Sequence, residues 1–460
     1  MLFNSFNFVF IYLPISLTCI YASKFISPEN RHPAIAATAT ASLVFYWLGD
    51  RDYLWFLIVS IIINYLIGSL LTHTRRPIIL ISGIAFNLGT LSYFKYLNFF
   101  LENIVPGFSA PDSLAGAALP VGISFFTFTQ IAYLVDKYKG HITNYTIADF
   151  ALFVSFFPHL VAGPVLYHRG VLPQIQSRAF GAPTARRFNF GLLFFAVGLF
   201  KKVLIADPLA GTVATVFDSG TAPGMLDAWI GALSYTFQLY FDFSGYSDMA
   251  IGLALFLNVR IPFNFDSPYK STSIIDFWRR WHMSLSFFLR HYLYISLGGN
   301  RKGRIRRNVN LMITMILGGL WHGAGWNFVL WGGVHGTFLI ANHAWRRFGI
   351  PLPAAVGWTL TFSAVVFGWV LFRAPDMNTA IAVLAAMVGI GESGSALISA
   401  HLEDLIHLML LLLVCVLCPN SQEIIYRRRW QLAKSVAASA LLASAILSLS
   451  NETDFLYRFF

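Results

Sequence analysis

Charge is scarce in this 460-residue sequence. Asp, Glu, Lys and Arg make up 12% of it, against about 25% in an ordinary soluble protein. The scarcity is also uneven. No charged residue occurs before Lys24, between Asp52 and Arg75, between Arg307 and Arg346, or between Arg347 and Arg373, which leaves runs of 23, 22, 38 and 25 residues. About 20 apolar residues cross a bilayer as a helix. A soluble enzyme, a disordered chain and a nucleic-acid-binding domain are excluded together, and an all-α, multi-pass membrane protein remains. Cysteine is equally sparse. Cys19, Cys415 and Cys418 lie in apolar stretches, so no disulfide framework or paired metal-ligand motif emerges, and no metal is expected. The first segment lacks a basic lead-in, which favours a retained span over a cleaved signal peptide.

Acidic residues number 21 against 32 Lys plus Arg, a net charge of +11. In a membrane protein this excess reads as basic loops held on the cytoplasmic side against anionic lipid. Spans are expected near Leu2–Ala22, Pro33–Leu48, Tyr53–Leu71, Pro77–Leu97 and Val121–Val135. Others are expected near Asn189–Ala206, Ala228–Val259, Trp358–Phe372, Leu405–Cys418 and Val436–Leu449. Two further apolar segments, Ile147–Leu166 and Asn308–Trp345, contain the breakers PHLVAGPV and GGLWHGAGW. Irregular backbone at membrane depth is tolerated only inside protein or beside a watery cavity. Both segments are therefore expected to re-enter the membrane as hairpins lining a site. Basic clusters lie at Arg75–Arg76, Arg178 with Arg186–Arg187, Arg301–Arg307, Arg346–Arg347 and Arg427–Arg429. Acidic loops lie at Glu102–Asp112, Asp207–Asp227, Glu392–Asp404 and Glu452–Asp454. With the basic set cytoplasmic, the spans alternate consistently if both interrupted segments re-enter and Thr379–Ile390 stays on the outer surface, and both termini then face outward. One membrane domain, 1–460, fills the chain.

Ionisable groups inside a bilayer are costly and mark candidate sites. Most of the twelve histidines flank spans or, like His159, adjoin a helix break where the ring can bond a freed carbonyl. His322 differs, because it lies inside the 38-residue uncharged run. Glycines at 318, 319, 323 and 325 remove bulk around it, and Trp321 and Trp326 bracket it. A neutral imidazole there can take a proton from a hydroxyl, as acyl transfer to an alcohol requires. The competing reading is a packing histidine bonded to a neighbouring helix. His335, thirteen positions later among Gly332, Gly333 and Gly336, is balanced between the two readings.

Taken as one helix, Phe277–Tyr292 gathers Arg279, His282, Ser286 and Arg290 within an arc of about 80° at 100° per residue, opposite an aromatic face. That stripe suits either a helix lying on anionic lipid or a cavity wall receiving a phosphate-bearing donor. In the second case His282 could donate to a developing oxyanion. A third block, QLYFDFSGYSDMAIG, sets Asp242 and Asp248 in an apolar segment, as proton relays or as counter-ions to the arginines.

These blocks, with PVGISFFTFTQIAYLVDKYKG at Pro120–Gly140, LYISLGGNRKG and the weaker GWVLFRA, resemble the membrane-bound O-acyltransferase (MBOAT) family in its bacterial, alginate O-acetylation branch. The matching motifs concentrate in residues 120–374. The resemblance implies a multi-pass helical bundle with re-entrant segments around a central tunnel. It places the family's nearly invariant histidine on His322 and its second polar position on His282. Arg279, Arg290, Trp321, Trp326, Ser286, Asp242 and Asp248 are the expected substrate-binding set. It also implies acetyl transfer from a cytoplasmic thioester, acetyl-CoA, with no bound cofactor. The acceptor would be an extracytoplasmic polysaccharide, reached with a periplasmic or membrane-anchored acetyltransferase as partner, at the bacterial inner membrane. D-alanyl transfer from a carrier protein to teichoic acid is the alternative within the family, and a proton-coupled transporter or flippase the alternative outside it. One departure stands out: relatives usually read FLRDYLYIPLGG, whereas His291 and Ser296 replace the aspartate and proline here.

Overall fold

The computed structural model describes residues 1–105, 119–142, 145–390, 401–427, 431–449 and 456. The acidic loop positions Asp112, Glu392, Glu452 and Asp454 and the basic pair Arg428–Arg429 lie outside the described residues. Among the described residues every regular element is helical, and a helix stands at each of the ten expected spans. Five are long and apolar enough to cross a membrane: Phe8–Ile26, Leu54–His73, Pro77–Ile104, Ala185–Phe217 and Ala354–Arg373. Met225–Phe256 (α1) runs for 32 residues. Its interior carries the buried polar residues Gln238, Asp242, Ser244 and Ser247.

The described residues group into two compact units. The first comprises 1–200, 245–263 and 427–460. Close helix approach within it depends on four glycines. A Cβ on Gly198 would sit 2.5 Å from the Gly245 carbonyl oxygen, and one on Gly252 would sit 2.5 Å from that of Gly191. The two helices therefore touch backbone to backbone, as small residues permit in membranes. The breaker PHLVAGPV does interrupt its segment. Helix Ile147–Ser155 ends at Phe156, and one turn, Phe157–Leu160, follows. His159 is buried and its Nε2 donates to the Phe153 carbonyl at 3.1 Å, so this ring serves the break itself.

The second unit comprises 201–244 and 264–426. It holds Ile274–Arg280 (α2), Met283–Phe288 (α3), Gly303–His322 (α4), Trp326–Trp345 (α5) and Ala354–Arg373 (α6). The second breaker, GGLWHGAGW, makes a hairpin of α4 and α5. Gly323 and Gly325 are extended, at φ −164° and −166°, and reverse the chain between the two helices. The glycines on the facing sides set how closely they pack. A Cβ on Gly319 would lie 2.2 Å from the Phe328 carbonyl oxygen, and one on Gly332 would lie 2.3 Å from that of Met315. These pairings run antiparallel and leave no room for any side chain larger than hydrogen.

Candidate active site

His322 is the last residue of α4, at the tip of this hairpin, and is 3% exposed. Aromatic rings enclose it. Its centroid lies 4.8 Å from that of Trp321, 5.3 Å from Trp331 and 5.0 Å from Phe372, all three edge-on. Trp331 comes from α5, folded back by the hairpin, and Phe372 comes from the end of α6. Trp326 instead opens α5 at 58% exposure. The sequence places Trp326 four residues from His322 and Trp331 nine. The reversal at Gly323–Gly325 makes the more distant residue the neighbour.

The uninterrupted helix expected over Phe277–Tyr292 does not form. The chain breaks at His282, which adopts a left-handed conformation with φ 42° and ψ 54° between α2 and α3. An extended stretch upstream makes the break possible by bonding the freed backbone. Met283 N–H donates to the Asn264 carbonyl at 2.9 Å, Ser284 Oγ donates to Asn264 Oδ1 at 2.6 Å, and Asp266 N–H donates to the Arg280 carbonyl at 3.0 Å. After Phe288 the helix loosens into a π-turn over Leu289–Tyr294.

The stripe expected from helical spacing therefore disperses. His282 is buried at 1% exposure, whereas Arg279 and Arg290 are exposed. Ser286 Oγ donates to the Trp281 carbonyl at 3.3 Å, across the break. His291 stacks on Phe287 at 3.7 Å, and its Nδ1 lies 3.0 Å from the Phe287 carbonyl oxygen. The base in place of the usual acid makes a local contact there.

The two central histidines are nonetheless close. His282 meets the ring of Phe243 at 4.7 Å and 86°, and lies 6.3 Å from Trp321, the indole that touches His322. Trp281 packs on Trp369 at 4.8 Å, and Trp369 stacks on Trp331 at 5.8 Å and 20°. A continuous aromatic wall thus joins the His282 break to the His322 tip. Left-handed backbone at a non-glycine residue, held by surrounding bonds, is a recurrent feature of functional sites.

Asp242 adjoins Phe243 on α1 and is 1% exposed. It pairs with Lys202 at 2.8 Å, and Lys202 also pairs with Asp207 at 2.7 Å. Lys202 sits in a π-helical turn, Lys201–Ala206, which brings its ammonium to both carboxylates. The ion pair seen at Asp242 is thus with a lysine from another segment. Asp248, six residues further along α1, is buried in the first unit.

The sequence profile of the membrane-bound O-acyltransferase family, MBOAT, matches residues 43–380, which contain every residue of this site. The chain is 36% identical to the peptidoglycan O-acetyltransferase of Helicobacter pylori, over 99% of this chain and 97% of that protein. It is 42% identical to the probable alginate O-acetylase of Azotobacter vinelandii, over 85% of this chain and 79% of that protein. With the corresponding Pseudomonas aeruginosa protein the figures are 43%, 85% and 75%. The chain belongs to the MBOAT family and is a multi-pass membrane O-acyltransferase.

Proposed function

We propose that this chain transfers acetyl groups from a cytoplasmic thioester, acetyl-CoA, toward O-acetylation of an extracytoplasmic polysaccharide at the bacterial inner membrane. His322 takes the proton from the attacking hydroxyl as its oxygen bonds to the acyl carbon. His282 donates to the oxyanion that develops on the carbonyl. The carbon–sulfur bond then breaks, and the leaving thiolate receives the proton that His322 holds. The observation that carries this reading is the pair of buried imidazoles, 282 and 322, each in ring contact with the indole of Trp321. The aromatic rings around His322 limit the access of bulk water that would compete with the acceptor hydroxyl.

Two of the similar proteins are named for O-acetylation of a polysaccharide, one for peptidoglycan and one for alginate. Acetyl transfer to a polymer is the feature they share, and we extend that to this chain. A periplasmic or membrane-anchored acetyltransferase completes delivery to the polymer, and the exposed Arg279 and Arg290 attract the anionic donor from the cytoplasmic face.

Proteoliposomes carrying the chain with and without its partner, supplied with radiolabelled acetyl-CoA outside and polymer inside, test this directly. Label reaching the polymer as an alkali-labile ester supports the proposal. Label that never leaves the thioester, with D-alanine transferred from a charged carrier protein instead, assigns the chain to the other branch of acyl chemistry.

A further inference from the structure

His335 is fully buried, at 0% exposure, and among the described residues neither its Nδ1 nor its Nε2 has a hydrogen-bond partner. Burying a polar ring without such bonds is costly, so its retention needs a reason. On α6, a Cβ added to Gly368 would fall 2.7 Å from His335 Nε2, so the backbone braces the ring from behind.

In front of it stand aromatic faces. The His335 centroid lies 4.8 Å from Trp331 at 62°, 5.2 Å from Trp278 at 87° and 5.9 Å from Phe338 at 84°. An imidazole edge is electropositive and suits such edge-to-face contacts better than an aliphatic side chain does. Trp331 is the shared element. The same indole meets His322 at 5.3 Å and 88°, and it stands four residues before His335 on α5.

We propose that His335 is a positioning residue that holds the indole of Trp331, and through it fixes the imidazole of His322. The inference rests on the reading of His322 as the base. It assigns a role to the second histidine of the α4–α5 hairpin, which touches no reacting atom. A displacement of about 1 Å at a reacting group is enough to lose about 10²-fold in rate, so a wall that shifts by a fraction of a ring has kinetic weight.

Two variants of the full-length protein test it. His335→Leu removes the ring edge, and Gly368→Ala pushes the ring forward from behind. Each is measured for kcat and KM with the thioester. Each is also measured for the rate at which diethyl pyrocarbonate carbethoxylates His322, followed by mass spectrometry of the purified protein. The proposal expects kcat to fall about 10- to 100-fold with KM within about twofold of the parent, and the His322 modification rate to change in step. A folded variant with parental kcat and parental His322 reactivity overturns it, and Gly368→Ala decides the matter should His335→Leu fail to fold. His322→Ala is run alongside. Full activity there removes the base assignment on its own, while the carbethoxylation rates in the two variants still decide whether His335 positions the ring.

Discussion

The imidazole of His322 and the indole of Trp331 meet edge to face, with centroids 5.3 Å apart and planes at 88°. The contact joins the tip of α4 to the second turn of α5, so the hairpin itself brings the two rings together. Trp331→Ala should open this wall, admit water and lower turnover at least about 10-fold, with a stability loss of about 3–5 kcal/mol from the cavity. Trp331→Phe should retain part of both. Denaturation in detergent and acyl-transfer rates on the two variants check the order.

The left-handed backbone at His282 separates its chemical role from its conformational one. Glycine accepts φ 42° without strain, whereas alanine there costs about 1–2 kcal/mol. His282→Gly should therefore be the more stable variant, yet both should lose about 10²–10³-fold in kcat if the ring donates to the oxyanion. Parental turnover by the glycine variant would reduce His282 to a hinge.

Gly332 packs against the Met315 carbonyl, 2.3 Å from where a Cβ would stand. Gly332→Ala should part the hairpin. We expect poor membrane accumulation and a thermal midpoint well below the parent. Gly333, where nothing lies within 4 Å of an added Cβ, should accept alanine with little change.

Much of this architecture is legible in the sequence because hydrocarbon enforces it. Uncharged runs of bilayer length locate the spans, and Gly-Ala-Gly after His322 can only be a reversal. The break at His282 is not legible from local pattern. Its cause is Asn264, eighteen residues upstream, whose side chain and carbonyl take the place of helical bonds. Periodicity assumes that no such partner exists, so it strung Arg279, His282, Ser286 and Arg290 along one face. Trp326 lies nearer to His322 along the chain than Trp331 does, but distance along the chain is a poor guide across a hairpin. Lys202 stayed hidden because a Lys-Lys pair ahead of Asp207 resembles an interfacial cluster, and only the π-turn brings it to Asp242.

That pairing leads to a further expectation. Lys202→Met leaves the buried carboxylate of Asp242 and the partly buried one of Asp207 without the ammonium that bridges them, which should cost about 3–5 kcal/mol. Adding Asp242→Asn to Lys202→Met should recover part of the loss. Thermal unfolding of the two single variants and the double in one detergent gives the coupling. A strictly additive double would mean that Lys202 and Asp242 do not depend on each other.

Single-turnover acetyl transfer by purified His322→Ala bears most directly on the mechanism, compared with parental protein at equal amounts and with matched thermal midpoints. Proton removal by a positioned imidazole contributes about 10²–10⁴-fold, so the first-order rate should drop by that factor while donor binding stays intact. A variant that folds, binds donor and turns over at the parental rate would mean that the proton leaves by another route and that His322 is a packing residue.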